Sequence, residues 1–93
     1  MAEESRFSAK IHGRVQGVGF RYFARQWASD LGVVGYVRNT SDGAVEVVAE
    51  GNQGRLARFL GIIREGPRSA VVSQVEVSWE NPSNAFDTFY VRG

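Results

Sequence analysis

Residues 7–15 alternate between apolar and polar side chains. Phe7, Ala9 and Ile11 fall on one face, with Ser8, Lys10 and His12 on the other. That period of two predicts a half-buried strand. Q-G-V-G breaks the alternation, and from Phe20 the period becomes helical. Phe20, Phe23, Ala24, Trp27, Ala28 and Leu31 form a stripe that Gly32 should terminate. A second strand is predicted over 33–39 and a third over 44–50, joined by the Thr40-Ser41-Asp42-Gly43 turn. Asn52 is a good cap for a second helix carrying Leu56, Phe59, Leu60 and Ile63, stopped by Arg64, Gly66 and Pro67. Gly61 weakens this helix by about 1 kcal/mol relative to alanine. Val75, Val77 and Trp79 mark a fourth strand over 72–80, and a short last strand is expected over 88–92.

The order strand, helix, strand, strand, helix, strand defines an α+β chain of the ferredoxin-like βαββαβ plan. Two amphipathic helices on one face of a sheet give a two-layer sandwich. Phe20, Phe23 and Trp27 are expected in the core. Glu46, Glu50, Glu76 and Glu80 are expected as solvated partners of outward arginines.

Length narrows the picture further. A chain of 93 residues buries about 64% of its unfolded surface, enough for one core and too little for two. A single domain over 1–93 is expected. There is no cysteine and only one histidine, which excludes disulfides, a thiol nucleophile, Cys-ligated metal and a multi-His metal site. No apolar run reaches membrane-span length, and the charged N-terminus lacks a signal-peptide core. A cytoplasmic protein is the expectation. Net charge is +1, too balanced to imply a nucleic-acid partner. The basic set is nonetheless skewed to ten arginines and one lysine. Arginine suits phosphate and carboxylate recognition.

The candidate chemistry sits where the first strand becomes a helix, in G-R-V-Q-G-V-G-F-R. Gly17 and Gly19 allow a left-handed backbone and close approach of an anion. The helix start offers unpaired N–H groups and partial positive charge. Arg21 falls in that first turn, where a cation is out of place unless an anion joins it. The glycines could instead simply shape the turn. Asn39, just before the hairpin, has an amide able to hold a water or to bond its own backbone as a turn residue. His12 lies on the outer strand face and is read as a bystander.

V-Q-G-V-G-F-R followed by G-Y-V-R-N-x-x-D-G-x-V-E resembles the acylphosphatase family. The resemblance extends through A-V-E-V-V-A-E-G, the G-P after helix two and V-x-V-x-W, covering nearly the whole chain. It implies metal-independent hydrolysis of an acyl phosphate to a carboxylate and inorganic phosphate, with no cofactor. The phosphoryl group would be bound by Arg21 and the amides of Gln16, Gly17, Val18, Gly19, Phe20 and Arg21, and Asn39 would orient water. It also implies a four-stranded antiparallel sheet in the order 4-1-3-2, to which the pattern adds a short C-terminal strand. The partner expected is a small acyl phosphate, with no nucleic acid and no membrane, and a monomer as the working state. An RNA-binding module shares the strand order but needs stacking aromatics, which A-V-E-V-V-A-E lacks. A non-catalytic anion-binding module is a second alternative, which would need Arg21 and not Asn39; a structural or interaction role is a third, which leaves the glycine-arginine loop unexplained. A carboxylate at Gly93, close behind the last strand, is a further candidate partner for Arg21.

Overall fold

The alternation at Phe7, Ala9 and Ile11 buries all three residues, because they face two helices laid across one side of the sheet. The computed structural model describes residues 3–93; Met1 and Ala2 of the charged N-terminal stretch lie outside the described residues. The elements are β1 (Glu4–Arg14), α1 (Phe20–Leu31), β2 (Val34–Asn39), β3 (Val45–Asn52), α2 (Gln53–Glu65), β4 (Val71–Glu80) and β5 (Phe89–Val91). The strand order is β4-β1-β3-β2-β5. Thus the expected 4-1-3-2 core of the sheet is present. The short last strand joins it as a fifth member, parallel to β2, pairing Gly35 with Phe89 and Val37 with Val91. The sheet is therefore mixed.

Helix α1 packs on β2 and β5, and α2 packs mainly on β1 and β3. Phe59 of α2 meets Phe7 with ring centroids 6.2 Å apart and Phe89 edge-on at 5.6 Å. This aromatic line ties the first and last strands to one helix. Both helix ends behave as their sequences dictate. Arg55 N donates to Asn52 Oδ1 at 3.1 Å, and Gly32 ends α1 in the left-handed region at φ 70°.

Two burial expectations change. Helix α1 buries Phe20, Ala24 and Ala28, while Phe23 is only half-buried and Trp27 is 39% exposed. The two alanines let the helix sit close to the sheet, which leaves the larger side chains on its flanks. Glu50 is not solvated but 3% exposed. Residues 81–88 fold back over the outer sheet face there. Glu50 accepts from Arg6 at 2.8 Å, Ser83 Oγ at 2.6 Å, and the Ser83 and Asn84 amides at 3.0 Å. Glu46 and Glu80 do pair with outward arginines, Arg38 and Arg6, whereas Glu76 meets the His12 ring instead of an arginine.

Candidate active site

The connection from β1 to α1 is short and built on two glycines. Gly17 has φ 72° and Gly19 has φ 79°, a region that costs L side chains roughly 1–2 kcal/mol. A Cβ at either position would meet nothing within 4 Å. Backbone conformation, not space, therefore calls for glycine here, and the loop faces open solvent. The Val18 carbonyl accepts from Ser69 Oγ at 3.0 Å. The peptide is trans, so the Gly19 N–H points to the opposite side from that carbonyl.

Gly19 is also the N-cap of α1. It supplies no side-chain hydrogen bond, and the first turn holds no acidic residue. Positive partial charge at this helix end is therefore not offset by a cap or an acid within the turn itself. Arg21 projects from the same turn, exposed, and forms no ion pair among the described residues. Phe20 turns inward and is 1% exposed, which anchors the turn in the core.

Asn39 closes β2 opposite Val45. Its Oδ1 is buried and has no hydrogen-bond donor among the described residues. An unsatisfied buried carbonyl of this kind costs about 1–3 kcal/mol. The turn beyond it is tightly bonded. Thr40 N donates to Ala44 O at 2.9 Å, and Ala44 N donates to Thr40 Oγ1 at 3.1 Å. Lys10 and the Thr40 hydroxyl hold the Asp42 carboxyl well below the usual carboxylate range.

One cavity of about 260 Å³ joins these parts. Val15, Gly17, Gly19, Phe20, Arg21, Tyr22, Asn39 and Val91 line it. Two larger and more open depressions, about 570 and 520 Å³, lie around Gly32 at the far end of α1 and include neither Arg21 nor Asn39. The model of the acylphosphatase family matches residues 7–91.

The chain belongs to the acylphosphatase family. Its activity is hydrolysis of an acyl phosphate to a carboxylate and inorganic phosphate. It is 51% identical over 89 residues to an acylphosphatase of Salinibacter ruber, covering 96% of this chain and 94% of that one. The crystal structure of acylphosphatase from Bacillus subtilis superposes with a TM-score of 0.92 at 31% identity, covering 96% of this chain and 99% of the other. An acylphosphatase structure from Coxiella burnetii gives 0.89 at 36% identity, covering 96% and 93%.

Within this acylphosphatase fold, four residues of the predicted loop lie on the cavity wall: Gly17, Gly19, Phe20 and Arg21. Gln16 and Val18 do not. Gln16 Nε2 instead donates to the carbonyls of Thr40 and Ala44, both at 2.8 Å. Sequence reasoning missed three wall residues, Val15, Tyr22 and Val91. Val91 reaches the site only because β5 pairs with β2, a contact with no local sequence signal. Among the described residues no ion pair joins Arg21 to the Gly93 carboxylate. His12 bonds Glu76 at 2.5 Å and lies outside the cavity.

Proposed function

We propose that Arg21 and the loop amides from Gln16 to Arg21 bind the phosphoryl group, and that Asn39 orients the attacking water. The observation that carries this reading is the buried, partnerless Asn39 Oδ1 on the same cavity wall as an unpaired arginine. A water donating one hydrogen to Oδ1 would satisfy the amide and present a lone pair to phosphorus. Arg21 offers a planar fork to two phosphoryl oxygens. The glycine loop and helix start add N–H groups and positive partial charge.

These parts match the demands of the reaction. The P–O bond to the acyl oxygen breaks while the water oxygen bonds to phosphorus. The leaving carboxylate has an ordinary pKa of about 4 and needs no protonation. Catalysis then rests on positioning and on stabilising charge at the phosphoryl oxygens. An amide takes no proton near neutrality, so the water's proton passes to a phosphoryl oxygen or to bulk water. We further read the protein as a single metal-independent domain over 1–93, working as a cytoplasmic monomer without nucleic-acid or membrane partners. No helix among the described residues is long and apolar enough to cross a membrane.

The test is benzoyl phosphate hydrolysis with a chelator present. Saturable phosphate release, insensitive to the chelator and inhibited competitively by inorganic phosphate, is expected. Arg21→Lys should weaken that inhibition by at least about tenfold, since a point charge does not replace the fork. A chelator-sensitive rate, or undiminished inhibition in Arg21→Lys, would overturn the assignment.

A further inference from the structure

The side chain of Gln16 spends both of its N–H donors on one structure. Nε2 lies 2.8 Å from the carbonyl oxygens of Thr40 and of Ala44. Thr40 directly follows Asn39, and Ala44 is its partner across the turn. Among the described residues no other side-chain hydrogen bond links the 15–19 loop to the 39–44 hairpin. The opposite side of the loop is fixed separately, by Ser69 on the Val18 carbonyl. Gln16 is absent from the cavity wall, and the donors of its side chain are spent on these two carbonyls rather than on substrate.

We propose that Gln16 is a positioning residue, whose amide sets the hairpin bearing Asn39 at a fixed distance from the phosphate loop. The proposal rests on the reading of Asn39 as the water-orienting group. Arg21 and Asn39 project from separate elements, and the water must approach phosphorus in line with the departing oxygen. A displacement of about 1 Å in such an arrangement costs up to about 100-fold in rate. The Asn39 backbone pairs through β2 with Val45, at the very end of the ladder, where strand pairing restrains it least. Gln16 grips the two carbonyls just beyond that end. Phosphate binding should depend on it far less. Arg21 and the helix start are held independently by buried Phe20 and by the Ser69 bond.

The decisive experiment measures kcat on benzoyl phosphate and the inhibition constant of inorganic phosphate. It compares wild type, Gln16→Met, Asn39→Ala and the double variant. Methionine keeps the length and removes both donors. The expected result is a fall in kcat of roughly 10- to 100-fold in Gln16→Met, with phosphate inhibition changed by less than about threefold. The double variant should be no slower than Asn39→Ala alone, because Gln16 acts only through Asn39. A second variant, Gln16→Glu, places an acceptor-only carboxylate against two carbonyls. It should regain part of its kcat as the pH is lowered and the carboxyl becomes a donor, a feature absent from the wild-type profile. Turnover of Gln16→Met within about twofold of wild type, equal losses in kcat and phosphate affinity, or losses that multiply in the double variant would each overturn the proposal. Asn39→Ala turning over at the wild-type rate would instead sink the water-orienting role on which it rests.

Discussion

Arg21 and Asn39 face the same cavity from the first turn of α1 and the last residue of β2. Among the described residues, one is an exposed charge without an acidic partner, the other a buried amide oxygen without a donor. Each lacks what a phosphoryl group and a water supply.

Removing the amide should separate binding from turnover. Asn39→Ala is expected to lower kcat by about 10²–10³-fold, while the inhibition constant of inorganic phosphate moves by less than about threefold. Steady-state kinetics with phosphate as competitor checks this. Parallel losses in both quantities would mean that Asn39 holds the anion rather than the water.

The loop glycines carry a backbone requirement, so Gly19→Ala should be costly despite the open space around it. Forcing alanine to φ 79° should destabilise the fold by about 1–2 kcal/mol or flatten the loop. Either response should weaken phosphate inhibition. Urea denaturation together with the inhibition constant reads both, and a variant unchanged in each would contradict the left-handed requirement.

Glu50 gives the fold an acid limit. Burial pushes its carboxyl up, but the bonds from Ser83, Arg6 and Asn84 together outweigh that and hold it at about 2. A carboxyl held below its ordinary value contributes fully above that value. The contribution disappears as pH falls through the folded-state pKa. Stability should therefore decline between about pH 4.5 and about pH 2, with Glu50 responsible for about 2–3 kcal/mol. Glu50→Gln should lose most of this at pH 7 and show a shallower acid limb in thermal melts. A wild-type-like acid limb in that variant would place the titrating group elsewhere.

Gly61 offers the opposite sign. It lies inside α2, exposed, and a Cβ there meets nothing within 4 Å. Gly61→Ala should raise unfolding free energy by about 1 kcal/mol, without altering kcat. The urea midpoint and a single activity assay suffice, and no gain would imply that α2 frays before the core opens.

Much of this was legible in the chain, for physical reasons that can be named. Alternation at Phe7, Ala9 and Ile11 and the helical spacing of Leu56, Phe59, Leu60 and Ile63 are local consequences of burial. So are Asn52 at one helix start and Gly32 at another helix end. The loop glycines and Arg21 drew attention to one place in the chain, because a cation at a helix start needs an explanation, and the structure puts three of these residues, Gly17, Gly19 and Arg21, on one cavity wall with Asn39. What stayed hidden depends on pairing between distant segments. Val91 reaches the cavity through β5, and Glu50 is buried because residues 81–88 cross above it. Trp27 matched the apolar stripe but sits at its flank, where no second layer covers it. The outward role of Gln16 was equally invisible, since a polar residue beside two glycines reads as loop until its partners are known.

The parallel union of β5 with β2 also bears on how the protein acquires its activity. Of the four ladders among the described residues only β2–β3 is a local hairpin; the others join segments far apart in the chain. Such topologies fold slowly, because loop closure precedes the contacts that reward it. The cavity wall is complete only after Val91 docks beside Val37. Regain of hydrolysis during refolding should therefore trail the burial of the aromatic core, and enzymatic turnover becomes a clock for the last step of assembly.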